Sequence, residues 1–276
     1  MTNISATDVS KLRKITGAGM MDCKKALVDA NGDFEKAKEI IREKGLAIAN
    51  KRADREATEG AVLAKTSGDN KTGVIITLNC ETDFVAKNND FLALAHKVLD
   101  LALEKLPANL EDLKNIETDG RKLEEIVIER SGVTGEKIEI SYYEKINAEF
   151  VSSYIHMGNK LATIVGFNKI ADNSIGNNIA MQITAMNPVA IDPNTVPKDI
   201  IEQELKIGRE QAKNEGKSEE LLDRIAQGKL QKFYKENTLL EQQFVVGDDK
   251  ISVKQYLQDN DKELTVTDFK RFGLGN

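Results

Sequence analysis

Between residues 73 and 80 the chain is almost wholly apolar and β-branched: Val74, Ile76 and Leu78 alternate with Ile75, Thr77 and Asn79. That is strand chemistry over a strand's length. Glu81 and Thr82 break the pattern, and the spacing that follows predicts a helix over residues 90–106. The chain must turn sharply between the two, and Phe84 stands at that strand-to-helix corner beside Asp83. A corner of this kind is usually polar, so the phenylalanine needs a reason. It is either a staple folded back beneath the following helix or a wedge that projects toward a partner with an apolar slot. The local pattern leaves both open. Asp83 is likewise open between a helix cap and a group that reaches the partner.

A chain of 276 residues predicts two or three structural units. It is 40% apolar and 30% charged, an ordinary soluble composition. No apolar run approaches the roughly 18 residues of a membrane span, and Met1-Thr2-Asn3-Ile4-Ser5 lacks the basic start and apolar core of a secretory leader. Two cysteines, Cys23 and Cys80, are too few for a disulfide framework, so reduced thiols in the cytoplasm are expected. A formal charge of -6 argues against wrapping nucleic-acid backbone, where phosphate neutralisation supplies most non-specific affinity. Protein surfaces are the expected targets. With tryptophan absent, each exposed aromatic carries more weight.

Residues 1–54 read as a three-helix bundle. Ser5 or Thr7 caps a first helix with Val9, Leu12 and Ile15 on one face; Met20, Met21 and Asp22 open a second carrying Ala26, Leu27 and Ala30. Asn31-Gly32 stops that one, and Asp33 caps a third with Phe34, Ala37, Ile40 and Ile41 inward. Lys44-Gly45 is read as its end or the end of its first segment, before an exposed connector over residues 46–55. Residues 55–137 read as a first α+β subdomain: strands over 60–66 and 72–80, turn chemistry between them, and the helix over 90–106 as cover. Residues 121–130 make another amphipathic helix, and 131–135 a loop. Ile138, Ile140 and Tyr142 are expected to start a second set of strands, continued by 150–156 and 161–167. A helix capped at Ser174 runs to Met186, where Pro188 stops it. Hairpin plus covering helix thus recurs over 138–196, a second, related subdomain. Residues 197–237 alternate sparse apolar and many charged positions, as in an antiparallel helical hairpin standing out in solvent. Residues 238–276 read as a strand returning to the second sheet plus a short helix.

Little points to bond-making chemistry. A thiol nucleophile needs a nearby base, and the histidines are His96 and His156. A Cys80–His96 pair is the one such arrangement left open, with no orienting carboxylate implied. No zinc-ligand spacing occurs. Asp29, Asn31 and Asp33 imitate the start of a calcium loop, but its twelfth position would be Ile40. Gly17-Ala18-Gly19 follows a helix and lacks a third glycine, so no nucleotide or other cofactor is expected.

Two longer stretches change the picture. Thr16-Gly17-Ala18-Gly19-Met20-Met21-Asp22-Cys23-Lys24-Lys25-Ala26-Leu27, followed by Ala30-Asn31-Gly32-Asp33, resembles the first signature of the bacterial translation elongation factor Ts family. Asn79-Cys80-Glu81-Thr82-Asp83-Phe84-Val85-Ala86-Lys87-Asn88 is similar to its second. Softer matches are Ser153-Tyr154-Ile155-His156 with Gly158, Lys160 and Leu161, and Ile179-Ala180-Met181 with Ala185-Met186-Asn187-Pro188. The resemblance implies an α+β fold with a ubiquitin-associated-like N-terminal bundle, two related core subdomains, a protruding antiparallel helical hairpin and a C-terminal module. It implies a guanine-nucleotide exchange factor, not an enzyme, that meets elongation factor Tu in GDP-bound and nucleotide-free forms, with no direct nucleic-acid or membrane contact. Thr82, Asp83, Phe84 and Val85 would intrude on that partner and dislodge its magnesium ion; Arg13, Met20, Met21 and His156 would make further contacts. The chain departs from the family at Met157-Gly158-Asn159, which usually carries more glycine, at Gln243, where proline is common, and at its stop after Gly275-Asn276. The competing class is a ubiquitin-associated-type adaptor that only recruits a partner through a hydrophobic patch.

Overall fold

A computed structural model describes residues 4–247 and 250–275. The first three residues of the leader reading, and Asn276 of the terminal one, lie outside the described residues.

Helices α1 (Ala6–Thr16), α2 (Met20–Asp29) and α3 (Phe34–Lys51) form the N-terminal bundle around Leu12, Cys23, Leu27, Ala37 and Ile41. Ser5 caps α1 in a reciprocal pair with Asp8, and Asp33 caps α3. Ile15 does not join the core; it is 57% exposed. A second correction concerns Gly45, which is buried inside a continuous α3 rather than ending it. Its reason appears further along the chain.

Strands β1 (Glu59–Thr66) and β2 (Thr72–Cys80) pair antiparallel, Glu59 opposite Cys80. A single turn, α4 (Asp83–Ala86), precedes α5 (Asn89–Lys105), which covers one face of the hairpin through Phe91, Leu94, Val98 and Ala102. The stretch between α5 and residue 123 holds α6 (Leu110–Lys114) and a minimal ribbon, β3 (Glu117–Thr118) with β4 (Arg121–Lys122). Helix α7 (Leu123–Thr134) starts later than expected and continues through the presumed loop at 131–135, ending at Gly135. Here the two internal glycines explain each other. A Cβ on Gly132 would lie 2.2 Å from the Gly45 Cα, so α3 and α7 cross backbone to backbone. Residues that read locally as stops are contact points between helices.

Strand β5 (Glu139–Asn147) was grouped by sequence with the second set of strands, but it pairs with β2, giving the first sheet the order β1-β2-β5. The second sheet, β6-β7-β8, is built from β6 (Phe150–Ile155), β7 (Leu161–Phe167) and the returning C-terminal strand β8 (Val266–Gly273). Val62, Ala64, Ile75 and Ile146 of one sheet pack on Val151, Ala162 and Ile164 of the other. The far face of the second sheet is covered by α8 (Asn173–Met186), whose N-cap residue is Asp172 rather than Ser174. Helix α9 (Lys198–Asn214) and α10 (Glu219–Asn237) pack chiefly on each other as the hairpin, and α11 (Val253–Asn260) precedes β8. The chain is α+β, and the hairpin-plus-helix unit does recur. Among the described residues no helix is long and apolar enough to cross a membrane.

Gly132→Ala improves helix propensity by up to about 1 kcal/mol but forces a methyl group into the α3 backbone. Overpacking of that kind costs about 1–3 kcal/mol or more. The expected net outcome is a lower midpoint of urea unfolding.

Candidate functional site: an exposed aromatic corner

The corner after β2 is held from outside. One Glu136 carboxylate oxygen accepts the backbone N–H groups of Glu81 (3.1 Å) and Thr82 (3.0 Å), and the other accepts the Thr82 hydroxyl at 2.6 Å. The Glu81 carboxylate in turn receives Arg52 Nη1 at 2.8 Å on both oxygens and the Lys137 N–H at 2.7 Å. Although burial opposes it, these donors hold the Glu81 carboxyl below its ordinary range. Above this base α4 makes its single turn, closed by the Ala86 N–H on the Thr82 carbonyl. Helix α5 is capped separately, by Asn88.

Within the turn the side chains divide. Val85 and Ala86 pack against the core of the first sheet, whereas Phe84 is 84% exposed. The staple is therefore absent: Val85 is the inward residue and Phe84 projects. Asp83 follows the N-cap residue rather than occupying it, and its carboxylate takes Lys87 Nζ at 2.7 Å. That hydrogen bond, with lesser help from the Lys160 charge, holds the Asp83 carboxyl below the usual value. Thr82 is turned inward through its hydroxyl, so it acts as a strut of the corner.

His156 is exposed at the end of β6, its Nδ1 3.3 Å from the Tyr154 hydroxyl. The turn beyond it needs left-handed backbone at Gly158 (φ 89°) and Asn159 (φ 56°) and leaves Met157 91% exposed. This turn lies against the start of β1. The Asn159 carbonyl accepts the Val62 N–H at 2.7 Å, and Lys160 pairs with Glu59 at 2.8 Å. Since Glu59 is the register partner of Cys80, just before the corner, the His156 turn and the Phe84 corner share one end of the two-sheet body. Beside His156 a groove of about 500 Å³ runs between β6 and α8, lined by Tyr154, Met181, Val245 and Arg271. On the bundle, Arg13 is exposed, Met20 is 47% exposed and Met21 75%. Burial of the two methionines within their own bundle is excluded.

Sequence reasoning missed Glu136, Glu81, Arg52 and Met157. The first three carry no local signal, because their partners lie 29 to 56 residues away. Met157 had one: a large apolar residue in a glycine turn.

Cys80 is buried, donates its S–H to the Thr82 carbonyl at 3.2 Å, and is pushed up to about 12 by burial first and then by Glu136 and Glu59. His96 is exposed on the solvent side of α5. A thiol this hard to ionise is no nucleophile near neutrality, so a thiol enzyme built on Cys80 fails chemically. The same shift has a consequence for stability. The folded protein keeps the Cys80 proton above the ordinary thiol value of 9.0, while the unfolded chain loses it. Stability contributed by the neutral thiol is complete below about pH 9 and falls as pH rises toward about 12. Tyr142 and Tyr143, pushed to about 12 by burial and Glu144, add to the loss from about pH 10 upward. Urea midpoints measured across this range should fall, and Cys80→Ser should flatten the first part of the decline, below the tyrosine contribution.

Comparison with known proteins bears on the whole chain. A family model described as "Elongation factor TS" matches residues 81–276. A protein named Elongation factor Ts from Porphyromonas gingivalis is 54% identical over 272 residues, covering 98% of each chain. Its namesake from Christiangramia forsetii is 48% identical over 277 residues, covering all of both, and that of Bacteroides thetaiotaomicron is 39% identical with 98% of each covered. The exposed corner, the braced turn beneath it and this likeness along nearly the full length lead to one conclusion: the chain belongs to the elongation factor Ts family, with its role in the elongation phase of translation.

Proposed function

We propose that this chain is a guanine-nucleotide exchange factor that binds elongation factor Tu carrying GDP, promotes GDP release and stays on the nucleotide-free partner. The observation that carries the reading is Phe84, an aromatic ring left in solvent on a turn that is braced beneath it. A side chain so placed loses little freedom when a partner closes over it, so its binding energy is retained. The ring enters next to the partner's magnesium and phosphate loops. Asp83 arrives with it and competes for the hydrogen bonds that order those loops. Arg13, Met20 and Met21 hold the bundle on the same partner, and His156 presses from the second sheet. Neither nucleic acid nor membrane takes part.

No bond is made or broken, so the effect is one of linked equilibria. Factor and nucleotide weaken each other's binding by the same ratio. Each tenfold loosening of GDP requires about 1.4 kcal/mol of contact present only in the open partner. Seating one phenylalanine supplies roughly 1.5–3 kcal/mol, which is one to two decades. Larger effects need the bundle and the His156 turn as well, which is why a factor of this kind spreads its contacts over several elements.

Release of labelled GDP from elongation factor Tu tests the reading. Phe84→Ala should slow stimulated release by about 10- to 100-fold while the thermal unfolding midpoint stays in place, since the ring touches little of its own protein. Undiminished release by Phe84→Ala would remove the wedge and leave a recruiting adaptor as the better account.

A further inference from the structure

The turn that presents Phe84 is not held by its own cap. Thr82 is the N-cap residue of α4, and a threonine there ordinarily lends its hydroxyl oxygen to a backbone N–H two or three residues ahead. Here it makes no such bond; the hydroxyl donates instead to Glu136. A one-turn helix is not stable alone, because nucleation fixes several residues for very few hydrogen bonds. Its direction therefore depends on what holds it from outside: Val85 and Ala86 pack inward on the first sheet, and a second hold is taken on its first residues. That second hold is the Glu136 carboxylate, which takes three hydrogen bonds from Glu81 and Thr82 across 54 or 55 residues of chain. Beneath it Arg52 donates from Nη1 to both Glu81 carboxylate oxygens, and Arg52 is the residue that caps the end of α3.

We propose that Glu136 is a positioning residue for nucleotide exchange: its carboxylate sets the direction in which Phe84 leaves the surface, and Arg52, through Glu81, ties that direction to the helix that carries the N-terminal bundle. This rests on the exchange reading above. Bundle and wedge then act as one rigid tool. A turn without the clamp would have to be ordered at the moment of insertion, and that entropy would subtract from what the ring contributes. Glu136 itself need not touch the partner.

The test is the rate of labelled-GDP release from elongation factor Tu at increasing concentrations of the full-length chain. Glu136→Ala should lower the maximal rate about tenfold, equivalent to 1.4 kcal/mol, with the half-saturating concentration within about twofold of the parent. Thr82→Val, which removes one of the three bonds, should act in the same direction to a smaller extent, and Thr82→Ser should restore the rate. It carries the comparison if Glu136→Ala does not fold. The deciding measurement is a double-mutant cycle. If Glu136 works through the ring, adding Glu136→Ala to Phe84→Ala slows release no further. Equal slowing in both backgrounds, or no slowing in either, overturns the proposal. Should Phe84→Ala itself leave release unchanged, the wedge reading falls and takes this inference with it. Slow release by Phe84→Ala beside normal release by Glu136→Ala overturns this inference alone.

Discussion

The contact between the inner faces of the two sheets, Val62, Ala64, Ile75 and Ile146 against Val151, Ala162 and Ile164, sets the position of everything that projects from this molecule. Strand β2 lies at the centre of its sheet with α5 on one side and the second sheet on the other, so it has no solvent face. That double burial is why residues 73–80 read as an unbroken apolar run. It also brings β1 beside the turn after β6, joining the Val62 N–H to the Asn159 carbonyl. The Phe84 corner and His156 therefore stand at the same end of the body because of core packing. Loops alone could not hold two such segments in fixed relation.

Four of the exposed apolar side chains stand on packed or hydrogen-bonded supports. Phe84 sits on a turn clamped by Glu136 and Glu81, Met157 on a turn bonded to β1, and Met20 and Met21 at the start of a packed helix. Scattered exposed apolar residues are ordinary, but these four share a feature: each is held by structure rather than free to fold inward. The close crossing of α3 and α7 at Gly45 and Gly132, with Arg52 on Glu81 just beyond it, carries this rigidity from the bundle into the body. Individually the exposed ion pairs contribute little. The Arg52–Glu81–Glu136 group differs because it is partly buried, charge-assisted and linked to backbone N–H groups.

Much of this was legible locally. The hairpin at 59–80 followed from alternation and turn residues, the cap at Asp33 and the choice between Ser5 and Thr7 from residue type, and the returning C-terminal strand from its isolated apolar pieces. Gly45 and the 131–135 stretch were misread because a glycine that ends a helix and one that lets two helices touch look alike in one dimension. Ile140 and Tyr142 were read as strand correctly but placed beside the wrong neighbours, since strand order depends on the whole topology.

Residue type and spacing by themselves determined most of the secondary elements and the unusual phenylalanine at a polar corner, because those properties are set within a few residues; the family was carried by the likeness of two long motifs. Only the tertiary structure decided that Val85 turns inward and Phe84 outward, that Met21 is free, and that a carboxylate 54 residues away holds the corner. Burial and long-range hydrogen bonds are properties of what surrounds a residue, and its surroundings come together only when distant segments pack.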